Sequence, residues 1–512
     1  MRRSTPPEPP RIDGAGYHRE LKPRHIQMIA IGGAIGTGLF LGAGGRLAAA
    51  GPSLVIAYAV CGLAAFLILR ALGELVLRRP DSGSFVSYAR EFLGEKAGFV
   101  TGWMYWMYWA MIGVVDATAV AVYLRFFGAY LPFFAEVPQW VWALSALVLV
   151  LGLNLLSVKV FGELEFWFAL IKVAALVVFL VIGILFVVLG TPVAGHTPGF
   201  ALLAESGGMF PHGLVPLVLV VQGVVFAYGA IELVGTAAGE TADPERTMPR
   251  AINSVILRIA LFYVGSVLLL ALLLPSSAYS ADESPFVTFF ASIGVQGADV
   301  VMNLVVLTAA LSSLNAGFYS TGRIARSLAE RGAAPAFAAR MNRSGVPYGG
   351  IVITGAVALL GVVLNVLLPD QAFEIGINLT SVGLLTAWTV IVLCQLTLYR
   401  RSRRGEEERP SFRMPGSPWT GYVALAFLGT VGVLILLDYP TGTFTVGAAL
   451  VIVVPLLIGG WFLVRRRVAA FAQREADEAA APQAVAAQGV AARDVAAQEA
   501  GEEAGDVEPA PR

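Results

Sequence analysis

Three ionisable side chains stand inside stretches otherwise apolar enough to exclude them. Asp116 sits in WMYWAMIGVVDATAVAVY, Lys172 in FGELEFWFALIKVAALVVF and Glu232 in FAYGAIELVG. Charges in such surroundings are costly and mark a pathway, a relay or a binding site by default. Whether a buried lysine or carboxylate holds its proton depends on its surroundings, so the three suit a proton relay, with a static buried ion pair as the structural alternative. Glu74 and Arg258 lie nearer the ends of their apolar runs and read as structural. Ser312, Ser313 and Asn315, in LTAALSSLNAGFYSTGR, offer hydroxyls and an amide. Such groups line polar sites or bond neighbouring helices.

The backbone carries a second chemistry. IGGAIGTGLFLGAGG, Ile31 to Gly45, holds seven glycines in fifteen residues at the start of an apolar run. Glycine is the poorest helix former after proline, so a break is expected within GGAIGTGLF, 32–40. A second break is expected around FAYGAIELVG, 226–235, where glycine and glutamate interrupt another apolar run. Unwinding exposes N–H groups at a positive helix start, which suits an anion such as a carboxylate, and carbonyls that can receive an ammonium. Unpaired backbone in lipid costs several kcal/mol per group, so breaks persist only where protein, water or a ligand satisfies them. Close helix packing through Gly38 and Gly42 is the competing reading. The likeness of GTGLFLG to a dinucleotide fingerprint fails, because no strand precedes it and no acidic residue follows on a second strand.

Composition sets the elements that must position these groups. Of 512 residues, 57% are hydrophobic and 14% charged, with a mean hydropathy of +0.73. Soluble domains carry about 25% charged residues, so the chain reads as an all-α integral membrane protein. Apolar runs of membrane-spanning length fall at roughly 26–50, 53–77, 98–127, 139–158, 164–189, 213–238, 250–274, 296–325, 348–368, 372–398, 418–437 and 443–464. They are numbered spans 1 to 12 in that order. The two breaks lie in spans 1 and 6, five apart, and five crossings reverse the side of entry. Discontinuous helices at matching positions of two inverted halves point to a binding site near the membrane midplane. Lys172 lies nine residues beyond Glu163, a depth of about 13 Å and so close to that midplane.

Loops alternate in charge. LRRPDSGSFVSYAREFLGEK, DPERTMPR, RIARSLAERG, YRRSRRGEEER and the RRR at 465–467 are basic, whereas FGAYLPFFAEVPQ, GTPVAGHTPGFALLAESGGMFPHG, PSSAYSADESPF and DYPTGT are nearly free of Lys and Arg. On the second side only Arg46 and Arg125 fall near the membrane face. The asymmetry predicts both termini in the cytoplasm. The polar N-terminal stretch reads as a retained tail and not a signal peptide. From about 468 the chain is rich in Ala, Glu and Gln and reads as disordered or loosely helical. Cys61 and Cys394 lie in apolar segments, and the four histidines show no ligand spacing, so no disulfide, metal or cofactor is expected. The aromatic run WMYWMYW reads as packing and interface residues.

Three motifs resemble a known family. GGAIGTGLFLGAG in span 1, RALGELVLRRPDSGSFVSYAREFLG after span 2 and AYGAIELVGTAAGETADPERTMPRAI across span 6 are similar to the amino acid transporter family of the amino acid–polyamine–organocation superfamily. The likeness covers about 20–467. Within it, VVQGVVFAYGAIELVGTAAGETADP, INSVILRIALFYVGSVLLLALLLP and NLVVLTAALSSLNAGFYSTGR are most similar to the bacterial L-asparagine permease branch. VVDATAVAVY fits that branch too, though D-serine/D-alanine/glycine permeases carry a similar aspartate.

The resemblance implies twelve transmembrane helices, ten of them a five-plus-five inverted repeat. The segments are then a tail (1–24), a first repeat (25–190), a second repeat (191–398), spans 11 and 12 (399–467) and a terminal tail (468–512). It implies proton-coupled uptake of an amino acid, L-asparagine first, by alternating access at the cell membrane. By motif, the substrate carboxylate meets the N–H groups of Thr37 and Gly38 within Ala34-Ile35-Gly36-Thr37-Gly38, and the ammonium meets carbonyls of Ala34, Phe226 and Gly229. Ala227, Ser313 and Asn315 complete the substrate residues, and Phe226 resembles an aromatic gate. Lys172 matches the proton-responsive lysine of relatives, with Glu232 and Asp116 at family acidic positions. The expected partners are the amino acid, a proton and the lipid bilayer, with no nucleic acid; the oligomeric state stays open, and a monomer is compatible with a site inside one chain. The alternatives are another small amino acid, such as D-serine, D-alanine, glycine or γ-aminobutyrate, and an exchanger. A channel needs a continuous pore, and an enzyme needs nucleophile–base pairs or metal ligands at depth; neither pattern occurs.

Overall fold

The computed structural model describes residues 35–80, 84–233, 235, 244–475 and 477. Among them the regular elements are helices, and the one β-type pairing is an isolated bridge between Val193 and His196. Ten helical stretches among the described residues are long and apolar enough to cross a membrane. Their outward faces are apolar as well: on span 5, Val177, Val181, Ile184, Leu185 and Val188 are all exposed. A water-facing helix would carry polar residues there, so this surface suits lipid.

Most spans lie where hydropathy put them. Span 3 is Glu95–Arg125, span 4 Gln139–Leu156, span 5 Val158–Leu189, span 8 Ala298–Glu330, span 9 Tyr348–Leu367, span 10 Ala372–Arg403 and span 11 Trp419–Leu437. The first long stretch, Thr37–Arg78, contains two of the sequence runs. Gly51 separates Gly42–Ala50 from span 2, Leu54–Arg78, at φ 65°, and a Cβ there would come within 2.6 Å of Pro211. Only glycine meets both demands. Span 6 is the exception in length, an apolar helix of Leu214–Ala227.

Several segments read as loops are helical. Ser84–Leu93 forms a helix in the first basic loop. Span 7 begins at Pro244, ahead of its apolar run, because proline without an N–H is suited to the first turn and Glu245 favours the positive end. It then passes through a π-helical segment, Ile259–Gly265, before Ser266–Leu273. The last helix runs from Thr441 to Glu475, so the stretch just beyond the arginines continues as helix. It does so because it has a partner. Val468 is buried with Phe99, Leu328, Ala333 and Ala334, and Arg331 holds Glu475 at 3.0 Å while lying over the Phe471 ring. Val468→Ala is therefore expected to lower the melting temperature of the purified protein, at a cost of about 1–2 kcal/mol for the lost methyl groups and the void.

Glu74, fully buried in span 2, anchors the loop between spans 10 and 11. Its carboxylate accepts from Arg409 Nε and, at 3.0 Å, from a second guanidinium nitrogen, from Gln395 Nε2 at 3.1 Å and from Met414 N at 2.9 Å. Glu74→Ala strands a largely buried guanidinium and two further donors. Breaking such a pair costs about 3–5 kcal/mol, so thermal melting in detergent should show a large loss of stability.

Candidate functional site

The break in span 1 takes the form of a helix start inside the protein. Gly36 is extended (φ −134°, ψ −166°), and helix runs from Thr37 to Phe40, then from Gly42 to Ala50. Leu39 and Phe40 both donate to the Gly36 carbonyl at 3.2 Å. The N–H groups of Thr37 and Gly38 therefore precede the first bonded turn, at the positive end. Ala34 lies outside the described residues; Ile35 is buried but does not reach the cavity described below.

Span 6 ends as span 1 begins. Its helix stops at Ala227, Gly229 N donates to Phe226 O at 2.9 Å, and Ala230 takes the left-handed φ of 69°. The two ends touch. A Cβ on Gly38 would stand 2.7 Å from Ala227 Cα and 2.9 Å from the Phe226 ring. Unwinding and close packing are thus not alternatives here: the same glycine interrupts the helix and admits the other break. A tyrosine stack holds the junction from behind. Tyr228 donates to the Tyr58 carbonyl at 2.7 Å and stacks on Tyr263 at 4.7 Å, within the π segment of span 7. Such segments gather at functional sites.

Between the two ends lies a cavity of ≈ 30 Å³, room for a water or two. The breaks supply Gly36, Thr37 and Gly38 on one side and Phe226, Ala227, Gly229 and Ala230 on the other. Span 3 adds Tyr108, Trp109 and Ile112; spans 5 and 8 add Glu165, Lys172, Ser312, Ser313 and Ala316. Lys172 Nζ donates to Ser312 Oγ at 3.0 Å, and Ser312 donates to Glu165 Oε1 at 2.7 Å. Lysine, hydroxyl and carboxylate thus form one buried chain beside the helix start.

Other sequence-identified residues stand one step back. The Thr37 hydroxyl donates to Asp116 Oδ1 at 2.8 Å, so Asp116 touches the cavity through Thr37 and neighbours Ser313. Glu232 accepts from Tyr105 Oη and Trp388 Nε1, each at 3.3 Å, which ties the span-6 break to spans 3 and 10. Asn315 is not in the cavity wall. It faces span 4, where its Oδ1 accepts from Asn154 Nδ2 at 2.8 Å. Asn315 stands one turn from Ser312 on the edge of the same face, beside Glu165 and span 4, while Ser313 and Ala316 lie on the cavity side. Among the described residues no cluster of His, Cys, Asp or Glu could hold a metal ion.

The amino acid permease family model matches residues 25–473, nearly the whole described chain. The chain belongs to the amino acid permease family. It is an integral membrane transporter and not an enzyme. Its relatives include L-asparagine permease 1 of Mycobacterium tuberculosis, 61% identical over 459 residues, which is 90% of this chain and 93% of that protein. L-asparagine permease of Streptomyces coelicolor is 59% identical over 461 residues, 90% of this chain and 93% of that one. That of Escherichia coli is 58% identical over 454 residues, 89% and 90% respectively.

Two parts of this permease's site escaped the sequence reading. Glu165 lies seven residues before Lys172, two helical turns and hence the same face; that spacing was the available signal. Tyr108 and Trp109 were hidden in WMYWMYW, where every face of the helix is aromatic or apolar. Trp109, Ile112 and Asp116 follow one another at helical spacing, which picks out the face that looks inward.

Proposed function

We propose that this permease imports L-asparagine with a proton by alternating access. The observation that carries the binding mode is the meeting of two helix ends, Thr37 and Ala227, around a buried cavity. The carboxylate fits the Thr37 and Gly38 N–H groups, and the ammonium fits the free lone pairs of the Phe226 and Gly229 carbonyls; a carbonyl bonded once still accepts a second hydrogen bond. The substrate assignment follows the relatives, which are L-asparagine permeases at 58–61% identity. Lys172, Ser312 and Glu165 are the coupling centre in this reading, with Asp116 and Glu232 as secondary acids. The enclosing fold is the five-plus-five inverted repeat with spans 11 and 12 outside it, both termini in the cytoplasm. Residues of one chain line the whole cavity, so a monomer suffices.

Uptake into proteoliposomes with an imposed pH gradient tests this. Labelled L-asparagine should accumulate when the outside is acidic, and a protonophore should abolish the accumulation. Stronger competition by alanine, D-serine or γ-aminobutyrate than by asparagine would overturn the substrate; uptake that requires an internal amino acid and ignores the gradient would establish exchange instead.

A further inference from the structure

The backbone at the two breaks recognises what all α-amino acids share, so selectivity must come from side chains in the same cavity. Most lining side chains with polar atoms are already engaged: Thr37 with Asp116, and Lys172 with Ser312 and Glu165. Two on span 3 are not. Tyr108 Oη and Trp109 Nε1 are buried, with residue exposures of 0% and 3%, and neither makes a hydrogen bond of good geometry among the described residues. The Ala230 N–H lies near the Tyr108 oxygen, which leaves its O–H to donate, and the Tyr105 oxygen lies near the indole N–H. A buried donor without an acceptor is destabilising, and a native protein keeps one where a ligand or water completes it.

Both side chains line the cavity between the two breaks. The Tyr108 hydroxyl lies so close to Gly229, in the span-6 break, that a Cβ there would stand 2.5 Å from the oxygen. The Tyr108 and Trp109 rings meet at 5.3 Å and 68°. Behind them Tyr105 stacks on Tyr108 at 5.6 Å, and its own hydroxyl is committed to Glu232. The pair is therefore fixed as a corner that carries an indole N–H and a phenol O–H.

We propose that Tyr108 and Trp109 read the substrate's side chain, donating to its carbonyl oxygen and so selecting a carboxamide over an apolar group. This rests on the proposal that an amino acid binds at the two breaks. An anionic side chain would meet three acids, Glu165 in the wall and Asp116 and Glu232 just behind it, against one cation, Lys172, which is already engaged with Ser312 beside Glu165. The corner therefore favours the neutral amide over the carboxylate. A site built to hydrogen-bond its ligand rejects an analogue lacking the group far more strongly than an apolar site does, because the protein donors are then left unpaired.

The test is competition for labelled L-asparagine uptake in proteoliposomes by unlabelled L-asparagine, L-leucine (close to asparagine in shape, without its polar atoms) and L-aspartate. The wild-type chain should prefer asparagine to leucine at least a hundredfold; equal competition overturns the inference without any variant. Tyr108→Phe and Trp109→Phe should each narrow that preference about tenfold, the loss of one hydrogen bond, by weakening asparagine and not by strengthening every competitor. Asparagine and leucine shifting together, or an unchanged ratio, overturns it. If some other amino acid displaces the label and asparagine does not, the substrate reading fails instead.

Discussion

Lys172→Ala is expected to abolish gradient-driven accumulation of L-asparagine. One proton moving inward across 100 mV supplies about 2.3 kcal/mol, which at about 1.4 kcal/mol per tenfold supports roughly fifty-fold accumulation. Without the lysine the internal and external concentrations should simply equalise. The reason lies in the buried chain Lys172–Ser312–Glu165, whose links are 3.0 and 2.7 Å. It connects span 5 to span 8 beside the helix start of span 1, so a change of charge on it alters the contact that holds those elements together. Removing only the lysine also strands Glu165, a buried acid, and destabilises the protein. The double variant Lys172→Met, Glu165→Gln removes both charges and should fold better than Lys172→Met alone while remaining uncoupled. Full proton dependence in Lys172→Ala would remove the lysine from the coupling mechanism.

Gly38→Ala should come next in effect. The added methyl meets the Ala227 backbone at 2.7 Å and the Phe226 ring at 2.9 Å. Backbone cannot rotate away, so the two breaks must separate, at about 1–3 kcal/mol for the overpacking. Initial uptake should fall by on the order of a hundredfold, since a 1 Å misplacement of binding groups has effects of that size. Gly42 provides the control four residues away. Its added methyl would meet the far end of the Arg46 side chain and no backbone of the span-6 break. Gly42→Ala should retain most of the uptake, and equal losses at both positions would refute the role of the Gly38–Ala227 contact.

Much of this permease was legible in its residues. Apolar runs located the spans because lipid-facing helices need continuous hydrophobicity, whatever they pack against. Both breaks were legible for a related reason: glycines in IGGAIGTGLF and a glutamate after FAYGAI are local offences against helix and lipid. Lys172, Asp116 and Glu232 stood out as charges at depth. Ser84–Leu93 was misread as loop, and for the turns after Val468 disorder and loose helix stayed open, because the stability of both segments comes from burial against other elements and not from composition.

By itself the sequence determined which backbone would unwind and which charges would be buried, since both follow from local chemistry. Only the tertiary structure decided which groups meet. Asn315 and Ser312 are three residues apart, yet one bonds span 4 and the other completes a chain with Lys172. Glu165 became part of the site, and Tyr108 and Trp109 its wall, through the way spans 3, 5 and 8 rotate about the two breaks. Rotation of a helix uniformly apolar around its axis is not encoded in its own pattern. It is set by the neighbours it packs against.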